Sequence, residues 1–201
     1  MEDKLHRMKI DKRRRIENKT NYNKRLKLLK GGSLRLVVRK TNRYLILQII
    51  QSIHAQDKVL YSTTTKDLLK FGWPESKAGS LKCITASYLA GFWLAKKAKL
   101  SERVVLDTGL VPSTKGSRIY AAVKGFSDGG GEINYDKEVV PSEERIKGEN
   151  EKIMNTVLSS FEKDLGENKT QKDRISFEKD LGENKTQKEK KTGGRNNERK
   201  K

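Results

Sequence analysis

The run Val-Val-Leu-Asp-Thr-Gly, from Val104 to Gly109, places an aspartate directly after apolar residues, as aspartic proteases place their catalytic carboxylate. Those enzymes need two carboxylates close enough to share one proton. This sequence supplies one such motif, so a protease would have to form a dimer around Asp107, and the segment that follows is predicted to be helical rather than β-rich. We favour the alternative, that Asp107 and Gly109 end a strand and turn the chain, and keep a dimeric aspartic protease as a remote possibility.

Other groups suited to catalysis are scarce in the sequence. His6 and His54 are the two histidines, and neither has a metal-ligand partner at a useful spacing. Cys83 is the single cysteine, which excludes a disulfide framework and a cysteine-rich zinc site, and it falls in a predicted buried helix. We therefore expect no enzyme activity, no cofactor, no bound metal and no small-molecule substrate.

Positive charge dominates the chain, with a formal net charge of +19 over 201 residues. Residues 1 to 43 carry 16 basic and 4 acidic residues, a net charge of +12, and no acidic residue occurs from Asn18 to Gln56. Each basic side chain there can neutralise a phosphate and release a counterion, and Tyr22 and Tyr44 can stack on unpaired bases. A charge run is often only a solvated face, but this one includes two predicted strands, which favours a nucleic-acid partner.

A second basic segment, Thr114 to Arg118, stands at the predicted start of a helix. Backbone N–H groups, the positive end of the helix dipole, Lys115 and Arg118 could together hold one phosphate. The alternative is an ordinary capped helix start. The upstream glycine that a P-loop requires is missing.

These residues must be positioned by an α/β fold. Asn21 is predicted to cap a helix whose Tyr22, Leu26 and Leu29 form a docking stripe. Strands follow at Leu34 to Lys40, Arg43 to Gln51 and Asp57 to Thr65, and form an antiparallel meander. A short helix capped by Thr65 follows, and then a core helix from Ala78 to Lys99. Its apolar stripe is Leu81, Ile84, Tyr88 and Phe92, broadened by Ala86, Leu89 and Ala95. The last elements are a buried strand from Arg103 to Asp107 and a helix from Ser117 to Gly125. The expected fold class is α/β, a mixed sheet of three antiparallel strands plus a further strand, covered by helices.

Three regions are predicted from this pattern. Residues 1–33 form a basic RNA-binding N-terminal extension, residues 34–148 a globular α/β domain, and residues 149–201 a polar tail that is helical and then largely disordered. The tail repeats the 13-residue run SFEKDLGENKTQK, which begins at Ser160 and again at Ser176. No membrane-spanning stretch or cleaved leader is evident, so a cytoplasmic location and no membrane partner are expected.

Four segments resemble the archaeal and eukaryotic type of the ribosomal protein that binds 5S rRNA, protein eighteen of the large-subunit series. They are KTNYNKRLKLLKGGSLRLVVRKTNRY, YLAGFWLAKKA, VLDTGLVPSTKGSRIYAAVKG and VPSEERIKGE, and they occur in that order. The resemblance extends from about Lys12 to Gly148 and does not include the repeat tail.

The resemblance implies a structural, non-enzymatic component of the large ribosomal subunit in the cytoplasm. Its partners would be 5S rRNA, large-subunit rRNA in the central protuberance and a neighbouring 5S-binding ribosomal protein. A general basic RNA-binding or chaperone protein is the alternative. The family's positive segments fall on these predicted RNA-binding residues: Arg13, Arg14, Arg15, Lys19, Tyr22, Lys24, Arg25, Lys27, Arg35, Arg39, Asn42, Arg43, Thr114, Lys115, Gly116, Ser117 and Arg118.

Overall fold

The structure is a computed structural model that describes residues 11–53 and 56–166. Its sheet has four strands, and numbered along the chain they lie in the order 3-2-1-4. By its internal contacts the chain divides into a unit of residues 1–158 and a unit of residues 159–201. The strands, all in the first unit, are β1 (Leu34–Lys40), β2 (Leu45–Ile53), β3 (Gln56–Thr64) and β4 (Val104–Asp107).

The strand pairing confirms the predicted mixed sheet. β1 pairs with β2 and β2 with β3 in antiparallel register, with an irregularity between Ile49 and Ile50, whereas β4 pairs with β1 in parallel. A parallel neighbour requires a long crossover, and a helix between β3 and β4 supplies it. β4 ends at Asp107 and Gly109 follows with a φ of +65°, which confirms that Asp107 ends a strand before a turn.

Five helices of the first unit have defined bounds, and short 3-10 turns lie between some of them. They are α1 (Arg13–Ile16), α2 (Tyr22–Lys30), α3 (Ile84–Ala98), α4 (Arg118–Asp128) and α5 (Glu143–Lys147). Residues 151–158 of this unit are also helical, as are the described residues 159–166 of the second unit. The predicted disorder of the tail and the second repeat copy lie outside the described residues, as do His6 and His54.

The core lies between one face of the sheet and helices α3 and α4. Alternate residues of β1, such as Leu36 and Val38, are completely buried there, as are Leu94 of α3 and Phe126 of α4. The opposite face of β1 is also covered, since Arg35 and Val37 are buried. Simple alternation therefore identifies the strand but not the burial of its second face.

The predicted core helix is wrong in its start, and its predicted stripe is confirmed only in part. α3 begins at Ile84 rather than Ala78, and Cys83 is its half-buried N-cap, whose Sγ accepts a hydrogen bond from the Ala86 N–H at 3.3 Å. Of the stripe, Tyr88 and Phe92 are only half-buried, whereas the residues predicted to broaden it, Ala86, Leu89 and Ala95, are buried with the other small residues of the helix.

Close packing against α4 explains this shift of the buried face. A Cβ on Gly91 would lie 2.0 Å from the Ala122 carbonyl oxygen, and a Cβ on Gly125 would lie 2.0 Å from that of Tyr88. Because neither backbone leaves room for a side chain, each helix meets the other through its glycine. The small residues therefore mark the interface and the aromatic rings flank it.

The remaining helix predictions are close to the structure. Asn21 caps α2, accepting from the Lys24 N–H at 3.0 Å, and α4 begins one residue after Ser117. Thr64 rather than Thr65 caps the 3-10 turn Thr65–Phe71, because Asp67 completes a capping box with Thr64.

Candidate nucleic-acid interface

The N-terminal cations lie at the surface of the first unit. All three arginines of α1 are exposed, and no residue of this helix is buried. Arg13 and Lys19 contact Glu17, and Arg15 contacts Asp11, at distances of 2.8 to 3.6 Å. Solvent-exposed ion pairs of this kind are weak, so these cations can exchange a carboxylate for a phosphate.

Polar contacts rather than the predicted apolar stripe hold α2. The Lys24 ammonium donates to Thr108 Oγ1 at 3.1 Å and to the Gly109 carbonyl at 3.2 Å, and Arg25 donates to Asp57 at 2.9 Å. Leu26 is 54% exposed, so the expectation that it forms part of a docking face is wrong. The contacts of α2 reach both β3 and the loop after β4, and they fix its cations relative to the sheet.

Asp107 joins two arginines to the loop after β4. Its Oδ2 accepts from Arg35 at 3.2 Å, while its Oδ1 accepts from Arg39 at 3.2 Å and from the Gly109 N–H at 2.8 Å. Arg39 also donates to the backbone carbonyl of Asp107 at 2.8 Å. The carboxylate is thus enclosed by cations and an amide, and it orients Arg39.

Arg35 differs from the other predicted RNA-binding residues, because its side chain is only 3% exposed. Its guanidinium donates to Ser52 at 2.7 Å and to Asp57 at 2.6 Å besides Asp107. Burial raises the pKa of Asp57, but a hydrogen bond from Ser52 and the charges of Arg35 and Arg25 outweigh it and hold that pKa below its usual value. Arg35 on β1 therefore links all four strands through Ser52, Asp57 and Asp107, and its guanidinium is occupied within the protein.

A cationic cleft of about 320 Å³ forms where α2 meets the loop after β4. Five of the predicted cations line it, and Asp107 is the one carboxylate among the residues that do. The lining cations are Arg14, Lys19, Lys24, Arg25 and Arg39. Residues that are 25 positions apart in the sequence thus converge on one positively charged surface.

The loop from Thr114 to Arg118 has the backbone form predicted for the start of a helix. Gly116 has a φ of +66° and its N–H donates to the Val139 carbonyl at 2.8 Å, so this N–H is not free for an anion. Ser117 is the N-cap of α4, but its hydroxyl is buried without a hydrogen-bond partner. Lys115 pairs with Glu138 at 3.3 Å, and both side chains are largely exposed.

Thr114, Gly116, Ser117 and Arg118 of this loop, but not Lys115, line a second, larger cleft of about 670 Å³, which lies between the starts of α3 and α4. Lys40, Arg118 and Arg145 contribute positive charge to it, with Glu149 as the carboxylate among its lining residues. Val111 borders both clefts, so they adjoin. The sequence analysis did not identify Lys40 or Arg145, since their charge is visible in the sequence but their proximity to the loop is not.

The other predicted residues lie outside both clefts. Asn42 and Arg43 are exposed in the turn between β1 and β2, and Lys27 is exposed on α2. Lys12 stands 4.7 Å from the centroid of the Tyr22 ring, and Lys66 stands 4.5 Å from that of Tyr44. Each aromatic ring thus has a cation over one face.

Among residues 11–53 and 56–166, no three histidine, cysteine, aspartate or glutamate side chains cluster as metal ligands would. Within the same ranges no helix is both long enough and apolar enough to span a bilayer.

The chain is similar to proteins of the large ribosomal subunit. The family model for "Ribosomal large subunit proteins 60S L5, and 50S L18" matches residues 6–102, which include the N-terminal segment, β1 to β3 and α3. A protein named large ribosomal subunit protein uL18 from Korarchaeum cryptofilum is 46% identical over 145 residues, which are 71% of this chain and 72% of the relative.

Proteins of the same name from two other organisms are similar. The one from Methanoregula boonei is 42% identical over 68% of this chain and 78% of its own length. The one from Methanosphaera stadtmanae is 42% identical over 70% of this chain and 72% of its own length.

Proposed function

Since this chain belongs to the family of large-subunit ribosomal proteins that includes these relatives, we propose that it binds 5S rRNA and helps to attach it to large-subunit rRNA in the central protuberance. The chain is a structural component of the large ribosomal subunit in the cytoplasm and not an enzyme. A neighbouring 5S-binding ribosomal protein is the proposed protein partner.

The cationic cleft is the observation that carries this proposal. Five positive side chains face one space there, and the nearby Asp107 is already neutralised by Arg35 and Arg39. Lys19, Arg25 and Arg39 have carboxylate partners. Ion pairs near the surface are weak, so closely spaced phosphates can compete for these cations. The basic residues therefore set affinity for RNA, while the sheet and helices fix their spacing to the shape of a folded RNA.

The protease alternative does not fit the surroundings of Asp107. Its oxygens accept hydrogen bonds from two guanidinium groups and a backbone N–H. An aspartic protease needs a second carboxylate in this position, with which the first shares a proton. The Asp-Thr-Gly run thus organises a loop.

Filter binding tests the proposal directly. We expect the full chain to bind 5S rRNA more tightly than an unrelated structured RNA of equal length, and its affinity to fall steeply as salt rises. Equal affinity for the two RNAs, or a flat salt dependence, would reject specific 5S binding.

A general basic RNA chaperone would use the extension alone, and a truncation separates this alternative from the proposal. The truncation should end before Asn21, because α2 is bonded to the loop after β4 through Lys24 and to β3 through Arg25. After deletion of residues 1–20 we expect weaker binding with the preference for 5S rRNA retained. Loss of the preference would instead favour the chaperone.

A further inference from the structure

A pocket lined by side-chain amides adjoins the cationic cleft. It measures about 380 Å³ and is bordered by Arg15, Asn18, Thr20, Asn21, Tyr22, Asn23 and Leu110. Thr20, Asn21 and Leu110 also line the cationic cleft, so these three residues form the ridge between the two spaces. Leu110 stands on this ridge with 53% of its surface exposed.

Two of the three side-chain amides of this pocket make no hydrogen bond within the described part of the chain. Asn21 accepts the capping bond of α2, but in the described part of the chain Asn18 and Asn23 have no side-chain hydrogen bond. Asn18 also has a φ of +50°, in the left-handed region that non-glycine residues rarely adopt. Both amides are exposed, so a ligand that enters the pocket can bind them without breaking a contact of the fold.

We propose that the two spaces together hold one unpaired nucleotide of 5S rRNA, with its base in the amide-lined pocket and its phosphate in the cationic cleft. This inference rests on the proposed function. Asparagine amides present a donor and an acceptor side by side, which matches the edge of a base that has left its helix. Leu110 and Tyr22 supply apolar surface for the plane of the base, and Arg14 and Lys24 lie across the ridge for the phosphate.

The arrangement favours a nucleotide over an acidic peptide. An acidic side chain would satisfy the cations, but it has no flat ring to cover Leu110 and to meet the amide edges in the same plane. A nucleotide places a charged group and a flat polar ring within one residue, as the two adjoining spaces require.

The test compares the full chain with the double variant Asn18→Gly and Asn23→Ala. Glycine keeps the positive φ at position 18, and alanine suits the exposed helix position 23, so both changes preserve the fold. Asn155→Ala, on an exposed asparagine that borders neither space, is the matched control. Each protein is titrated with 5S rRNA over a salt series, and the base reactivity of each complex is mapped with dimethyl sulfate and a 2′-hydroxyl reagent.

We expect the double variant to bind 5S rRNA about tenfold more weakly with an unchanged salt slope, since a base contact is lost and no phosphate contact is. One unpaired nucleotide that the unchanged chain protects should become reactive in the variant complex, and Asn155→Ala should behave as the unchanged chain does. If the variant keeps both affinity and protection, the nucleotide inference is overturned while 5S binding stands. An acidic-peptide site would give that same result. If the unchanged chain shows no preference for 5S rRNA, the proposed function itself fails.

Discussion

Asp107 has a structural role, although the Asp-Thr-Gly run in which it lies resembles a protease motif. Among the residues the structure describes, it is one of two carboxylates that contact the buried Arg35, and it also binds Arg39 and the amide of Gly109. A guanidinium that is 3% exposed loses its hydration, so it depends on these partners for compensation. The carboxylate therefore keeps the sheet intact and aims Arg39 at the cleft.

The substitution Asp107→Asn tests this role. It preserves the shape of the side chain but removes the charge that compensates Arg35, so we expect the free energy of unfolding to fall by about 3 kcal/mol. Urea denaturation followed by circular dichroism measures the change.

The matched control is Glu138→Gln, which also replaces a carboxylate paired with a cation by an amide. Both Glu138 and its partner Lys115 are largely exposed, so we expect no measurable loss of stability. Equal effects of the two substitutions would contradict the structural role of Asp107.

Among the elements, the contact between α3 and α4 depends most on single residues. The carbonyl of Ala122 occupies the place of a side chain on Gly91, and that of Tyr88 occupies the place of one on Gly125. Backbone atoms cannot move aside as a flexible side chain can, so any substituent must push the helices apart.

Gly91→Ala is accordingly expected to destabilise the fold by about 3 kcal/mol or more, near the upper end for overpacking a core. The midpoint of urea unfolding checks this. Gly79→Ala is the control, because a Cβ there meets no atom within 4 Å, and its effect should stay below about 1 kcal/mol. Similar losses at the two positions would mean that the helices are not held at this distance.

The same contact shows where sequence reasoning succeeds and where it stops. Alternation in Leu34–Lys40 identified β1, and Asn21 marked the start of α2, because both signals are local. The stripe of α3 was centred on the large residues Tyr88 and Phe92, whereas the residues predicted only to broaden it, among them Ala86 and Leu89, are the buried ones, because small residues allow the closest approach to α4. The loop Thr114 to Arg118 was recognised by its charge, but Arg145 joins it only through the folded chain.

At the scale of the whole molecule, positive charge is divided between two adjoining clefts. One is built from α2, β1 and the loop after β4, and the other lies between the starts of α3 and α4. An RNA that follows the surface from one cleft to the other would contact residues that are far apart in the sequence, from Arg14 to Arg145. A change in the second cleft should then weaken binding even though the N-terminal segment is intact.

The double substitution Lys115→Ala and Arg118→Ala tests this division. We expect affinity for 5S rRNA to fall by about 1 to 3 kcal/mol and the salt slope to decrease by about two phosphate contacts, because charge-assisted contacts are lost. Filter binding across a salt series measures both quantities. Lys70→Ala with Lys152→Ala removes the same net charge from exposed positions that border neither cleft. If that control weakens binding equally, net charge governs affinity; if only the Lys115 and Arg118 pair does, the loop before α4, which contributes Arg118 to the second cleft, contacts the RNA directly.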